Sequence, residues 1–449
     1  MSPMMLKLRP LLMLFGGTFG AALLSMGAQL LLIHALTVPD YGRLATILAA
    51  VNLLSPFAGF GVNWFWIQAF GREGYRGFRW VGPSFSLLGL TNLLSLLALA
   101  GYIVSAGGFA GHSMGLVVLF SSLMLLGQCA VEIASVKFQL EERFGQLALW
   151  QALSQLGRFL VALALIYHAR SLHAVMEGYG FVGLLLLLGS AVIIRSFHTR
   201  RLKLAGHGPA EGDRILEPPS PLTTAKLSFP FAFITIFYLV YSQSVLLLIT
   251  FFIGPGDTAV FSGALLVISA IQLVPNIIFT KFLMGRICRW AEHDHASFHA
   301  ILHLSAAGMI VLGVMVMVLV AVGAPLAVPV IFGARYARTT MVLIYLTPTI
   351  PLRFVQSAYS SMLVSEANVR KRVMFSGVSA ACSLALNLLL LPTLGLTGAI
   401  IASIASEAVL LLLGMWGAAR YVGNLNIGDS FRLTSLRSAT HQIFRGAAW

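Results

Sequence analysis

Charge is what this sequence most lacks. Of its 449 residues only 10% are Asp, Glu, Lys or Arg, against about 25% in soluble domains. A chain so poor in charge cannot cover a soluble surface. Acidic residues are scarcest, 15 against 29 Lys and Arg. Cysteine is equally sparse: Cys129, Cys288 and Cys382 stand apart, in or beside apolar blocks, with neither a disulfide framework nor metal-ligand spacing. No GxxxxGK[ST] or HExxH string occurs, and no polar domain is present to host catalysis. The sequence therefore predicts a non-enzyme with no cofactor and no bound metal. Short alternating segments, the mark of a β-barrel, are missing too.

What is present is apolar: 58% of the residues are hydrophobic, gathered in blocks near 11–35, 43–70, 80–107, 113–134, 147–168, 173–195, 227–252, 258–284, 299–331, 339–365, 371–392 and 396–419. About 20 apolar residues cross a bilayer core as a helix, so the chain reads as an all-α polytopic membrane protein of twelve transmembrane helices. The N-terminal run lacks a cleavage site and is read as the first span rather than a signal peptide.

The formal charge of +14 points to cytoplasmic loops rather than to nucleic acid, since Lys and Arg accumulate on the inner side of membrane proteins. With the N-terminus inside, the inner loops collect Lys7 and Arg9, then Arg72, Arg76 and Arg79, then Lys137 and Arg143. Arg195, Arg200, Arg201, Lys203, Arg214 and Lys226 crowd the middle loop. The outer loops keep Arg43, Arg170, Arg335 and Arg338. Both termini are therefore expected in the cytoplasm.

The longest polar stretch, residues 198–226, reads as a cytoplasmic linker. It divides the chain into an N-terminal six-helix lobe (1–197) and a C-terminal one (227–419), followed by a basic tail (420–449) suited to an anionic inner leaflet. The halves echo each other: LTVPDYGRLA (36–45) and IGPGDTAVFSGA (253–264) both pair a Pro with an Asp before a long helix, which then carries an internal proline, Pro56 or Pro275. Duplicated six-helix halves are a transporter plan with the substrate site between them.

Charges inside spans are the informative exceptions, because one at the bilayer centre costs about 2.5–3.5 kcal/mol on insertion scales. Arg158 lies mid-depth in span five; Arg353 lies as deep in span ten, after Pro348 and Pro351. Each proline removes a helix donor, so a broken helix is expected beside Arg353. Each arginine either faces a cavity or neutralises a buried glutamate. Lys281 sits at the end of span eight, a site for a ligand or for snorkelling. Glu407 in mid-span and Glu132 near a span end are candidates for ion coupling or for pairing with an arginine. Among uncharged residues, Asn52 and Asn63 (span two), Gln243 (span seven), Gln272 and Asn276 (span eight) and Asn387 (span eleven) either bond between helices or line a cavity suited to sugar hydroxyls. Trp64 and Trp66 are suited to sugar stacking or to interfacial anchoring.

Five segments, in order, resemble the polysaccharide transporter family, the oligosaccharide-lipid flippases of the multidrug/oligosaccharidyl-lipid/polysaccharide exporter superfamily. They are LTVPDYGRLA, IGPGDTAVFSGALL, VIFGARYARTTMVLIYL (330–346), LVSEANVRKR (363–372) and LNLLLLPTLGLTGAIIASIASE (386–407). The resemblance implies two six-helix lobes around a central cavity and alternating access. It also implies a polyprenyl-diphosphate-linked glycan moved from the inner to the outer leaflet of the bacterial inner membrane, in surface polysaccharide or lipopolysaccharide assembly. Membrane lipids, a glycan polymerase and glycosyltransferases would be its partners. Arg158 and Arg353 suit a diphosphate, because a guanidinium binds phosphate oxygens bidentately. Some lipid-precursor flippases of this superfamily carry several Arg in span one; here that span offers only Thr18, Ser25, Gln29 and His34, which favours the polysaccharide branch. Coupling to a proton or sodium gradient is left open. The alternative is a multidrug-type cation-coupled antiporter of the same fold.

Overall fold

The computed structural model describes residues 3–106, 113–168, 171–204, 217–277, 295–362 and 366–421. The described parts of the twelve apolar blocks are helical apart from short turns within or at the ends of some of them, and the chain is an all-α, multi-pass membrane protein. Helices are the economical answer in hydrocarbon, where a backbone N–H or C=O can be satisfied only from within the chain. The helices gather into two compact units, residues 1–259 and 260–449.

The first unit holds α1 (Pro3–Ala35), α2 (Val38–Gly59), α3 (Val62–Glu73), α4 (Val81–Ser105), α5 (Met114–Leu140), α6 (Phe144–His168), α7 (Leu172–His198) and α8 (Pro221–Phe252), together with the start of α9 (Pro255–Ile277). Side chains set several of the starts. Thr37 caps α2 by accepting from the Asp40 N–H, and Ser171 and Ser220 cap α7 and α8 in the same way, satisfying donors that a helix leaves open. Pro221 then occupies the first position of α8, where its missing N–H costs nothing.

Residues 43–70 are expected to form one span with Pro56 inside it, yet the structure breaks them into α2 and α3. Pro56 does not make the break. Phe60 and Gly61 do, both left-handed at φ 42° and 68°. Glycine is needed at 61 for a second reason: a Cβ there would lie 2.5 Å from the Ala232 nitrogen and 2.8 Å from the Ser228 oxygen on α8. The chain turns where it touches a neighbouring backbone.

Below this break lies an aromatic core of Phe65, Trp66, Phe70, Trp80 and Phe197. The Trp66 ring stands 4.7 Å from that of Phe197, and its indole N–H donates to Ser84 Oγ at 2.9 Å. Glu73 accepts from Arg79 at 2.7 and 3.1 Å and from the Trp80 indole at 3.1 Å. Leu202 and Leu204 are buried in the same cluster, so the first residues of the 198–226 stretch are fastened to it. The last residues of that stretch already belong to α8. Elsewhere the two echoing segments meet, since a Cβ on Gly42 would lie 1.7 Å from the Pro255 oxygen. Thr46, Thr250 and Thr258 join their hydroxyls beside that contact.

The second unit comprises the rest of α9 with α10 (His295–Phe332), α11 (Ala337–Leu346), α12 (Thr349–Met362), α13 (Glu366–Leu394) and α14 (Leu396–Tyr421). The expected break beside Arg353 falls between α11 and α12, at Thr347 and Pro348. Pro351 lies in the first turn of α12, where it removes no intrahelical bond. Ile350, Phe354, Ala358 and Tyr359 of α12 bury against Ala306 and Met309 of α10. Pro392 and Gly395 both look like residues of the turn between the last two spans. The structure corrects this: α13 runs through Pro392, and Gly395 alone, at φ 59°, reverses the chain.

Gly61→Ala is expected to destabilise the protein by at least about 1 kcal/mol, through both its left-handed backbone and its contact with α8. Gly89→Ala, where an added Cβ meets nothing within 4 Å, is expected to be neutral. Thermal unfolding in detergent separates the two.

Candidate functional site

Two helical stripes in the first unit are polar where membrane helices are normally apolar. On α5, Gln128, Glu132, Ser135 and Gln139 recur at four, three and four residues; on α6, Gln151, Ser154, Gln155 and Arg158 recur at three, one and three. Each spacing places its set on one helix face. The stripes line one cavity of about 380 Å³, together with Asn52, Asn63, Trp64 and Tyr179. A packed apolar core would leave no such space.

Arg158 is half-buried at this cavity. Its Nη2 donates to Gln128 Oε1 at 3.5 Å, and its guanidinium lies 5.9 Å from the centre of the Tyr179 ring. Gln128 in turn donates to Asn52 Oδ1 at 3.4 Å. These contacts are long, and Gln128 takes only one of the five donors a guanidinium carries. No carboxylate pairs with Arg158 among the described residues. One turn along α5, Glu132 accepts from Ser55 Oγ at 3.5 Å. A cation and a carboxylate thus share one cavity, each held by neutral groups. Within the same lining, Gln155 Oε1 is buried and has no hydrogen-bond partner among the described residues.

Arg353 has the opposite surroundings. In the second unit its Nε donates to Glu407, whose side chain is only 3% exposed. The Arg353 carbonyl accepts from Ser357 Oγ at 2.9 Å, and Ser357 accepts from Gln272 Nε2 at 3.0 Å. Gln272, Arg353 and Glu407 therefore form a second polar cluster. Asn387 is buried one span away, donating to the Ser383 carbonyl at 2.8 Å.

Of the residues singled out in sequence, Asn52, Asn63, Glu132 and Arg158 come together at the cavity. Gln243 is half-buried on α8 and does not line it. Lys281 and the side chain of Asn276 lie outside the described residues. Trp66 is a fully buried core residue, whereas Trp64 is 55% exposed and lines the cavity. Gln128, Gln139, Gln151 and Gln155 escaped the sequence reading; their helical spacing with Glu132 and Arg158 was the available signal. One further string, GHSMG at 111–115, has the GxSxG pattern of a nucleophile elbow. Ser113, however, only precedes α5, and no strand leads into it among the described residues, so the strand–turn–helix context of an elbow is lacking.

The two arginines give a test. Glu407→Leu should remove the carboxylate that neutralises the Arg353 guanidinium and cost about 3 kcal/mol, while Arg353→Met combined with Glu407→Leu should recover most of that loss. Thermal unfolding in detergent reads both.

No family model and no curated protein matches the chain, but solved structures do. The lipid II flippase MurJ in an inward-closed conformation aligns at TM-score 0.69 and 12% identity, covering 96% of this chain and 92% of that one. An inward-facing multidrug-resistance MATE transporter of the MOP superfamily aligns at 0.64 and 15%, covering 89% and 94%. A MOP-superfamily transporter from Pyrococcus furiosus, described as having a binding pocket of reversed polarity, aligns at 0.57 and 14%, covering 91% and 94%. At such identities the likeness is one of architecture: this chain has the all-helical fold of the MOP-superfamily transporters.

Proposed function

We propose that the protein is a flippase that carries a polyprenyl-diphosphate-linked oligosaccharide from the cytoplasmic to the outer leaflet by alternating access. The observation that carries this reading is Arg158, a guanidinium held by an amide and a tyrosine ring at a polar cavity within the membrane-spanning helices. An arginine placed for structure would be expected to carry a carboxylate, as Arg353 does. One left with unused donors at a cavity suits an anion, and a planar fork matches phosphate oxygens. A headgroup carrying a diphosphate and sugars cannot cross hydrocarbon unaided, and the amides of the α5 and α6 stripes offer it the hydrogen bonds it leaves behind in water.

In this reading the protein lies in the bacterial inner membrane with both termini inside and serves surface polysaccharide or lipopolysaccharide assembly. Glycosyltransferases supply its substrate and a polymerase consumes it. Glu132, in the same cavity, is the group we assign to coupling with a proton or sodium gradient. Arg353 and Glu407 hold the second unit together. The carboxylate also favours a second reading, a multidrug-type cation antiporter, in which Glu132 rather than Arg158 meets the substrate.

Purified protein in proteoliposomes, given fluorescent undecaprenyl-diphosphate-oligosaccharide, separates the readings. Wild type is expected to move the lipid between leaflets. Arg158→Gln should slow that movement by about tenfold or more, the worth of a charge-assisted bond. Transport of an organic cation that needs Glu132, with no movement of the lipid, would replace the flippase reading by the antiporter.

A further inference from the structure

The cavity has two chemically different ends. Its axis follows from which residues meet. Asn52 bonds Gln128, Ser55 bonds Glu132, and a Cβ on Gly59 would lie 3.8 Å from Glu132 Oε2, so α2 and α5 advance together. The chain then turns at Gly61, and α3, which carries Asn63 and Trp64, starts beside the C-terminal part of α5, where Val62 and Phe65 share a core with Ile133 and Val136. Helix α6 runs the opposite way, since only three residues separate its start from the end of α5 and it brings Arg158 back to Gln128; Gln151 therefore lies toward the Gln139 end. From Gln128 to Gln139 the α5 stripe extends about 16 Å at the helical rise, room for a diphosphate and a sugar side by side. One end holds the guanidinium. The other holds amides and an exposed indole.

Trp64 is unlike its neighbour. Trp66, two residues on, is buried and spends its N–H on Ser84. Trp64 keeps more than half of its surface open and is part of the cavity lining. Its own helix start is satisfied without the ring, because the Trp64 backbone N–H donates to Asn63 Oδ1 at 2.9 Å. An open aromatic face beside amides is how a polar cavity holds a sugar ring: the apolar C–H face lies on the ring and the hydroxyls reach the amides. Among the described residues Arg158 is the one basic residue in the lining, so an acidic sugar at the Trp64 end would meet Glu132 and no cation from them.

Resting on the flippase reading, we propose that Trp64 is the stacking platform for the sugar next to the diphosphate, that Asn63, Gln139 and Gln151 hold its hydroxyls, and that this sugar is uncharged. Trp64 then decides which headgroups enter, while Arg158 holds the part common to all of them.

The experiment uses the full chain in detergent and native mass spectrometry, with two probes: undecaprenyl diphosphate, and undecaprenyl diphosphate carrying N-acetylglucosamine. Wild type is expected to prefer the sugar-bearing lipid by roughly five- to tenfold, the usual worth of an aromatic contact. Trp64→Ala should abolish that preference and leave the bare lipid's affinity unchanged. Trp64→Leu, which keeps apolar bulk without a ring face, should do the same, and Trp64→Phe should keep most of the preference. Arg158→Gln should weaken both lipids alike. The proposal is overturned if wild type shows no preference, or if the Trp64 variants lose both lipids together, as an interfacial anchor would. It also falls if Trp64→Leu keeps the preference. Wild type binding neither lipid would remove the flippase reading itself, and the platform with it.

Discussion

Hydrocarbon supplies no hydrogen bonds, and that constraint orders this molecule at every level. It forces the backbone into helices, whose bonds close within each segment. It leaves helix ends to be satisfied locally, by Thr37, Ser171 and Ser220. Above all it makes each polar side chain inside a span conspicuous, because such a group must either find a partner or border a space that holds one. Most polar residues here take the first course. The Thr46, Thr250 and Thr258 hydroxyls bond one another, and Ser121 and Ser406 each bond a carbonyl one turn back in their own helix. Such pairings satisfy the hydroxyls and carry no further meaning. The cavity stripes of α5 and α6 take the second course.

Much of the architecture was legible in the sequence, because block length and helix length are both set by the bilayer. The break in span ten was legible as well, since Pro348 and Pro351, three residues apart, weaken the helix there for a local reason. The break in span two was not. Pro56 drew attention, and the helix absorbs it; the real break depends on the close approach of α8 to Gly61, a contact between residues some 170 positions apart. Pro392 misled in the same direction, because a proline within a well-packed hairpin can be carried by the helix that surrounds it. Leu202 and Leu204 lie in a stretch whose average composition is that of a linker, and two leucines do not alter an average.

The site was half legible. Charges in spans stand out singly, so Arg158, Arg353, Glu132 and Glu407 could be named at once. Amides stand out less: Asn52 and Asn63 could be named, but Gln128, Gln139, Gln151 and Gln155 could not, since one glutamine in or beside a span is ordinary. The α5 and α6 stripes become evident only when Gln128, Gln139, Gln151 and Gln155 are read at helical spacing with the charged residues they accompany.

Arg158 and Arg353 share one sequence signature and differ in structure, and that difference shapes the functional reading. Both are arginines at mid-depth in an apolar span. Glu407 neutralises Arg353 and accepts its hydrogen bond, so the pair satisfies itself and its cost in the membrane is met internally. Among the described residues Arg158 receives only an amide oxygen and the face of Tyr179, partners that stabilise a cation without cancelling its charge. A positive charge kept in that condition is tolerable beside a polar, hydrated space and costly anywhere else. The cavity and the guanidinium without a paired carboxylate therefore account for each other: the space makes the charge affordable, and the charge gives one end of the space its affinity for an anion.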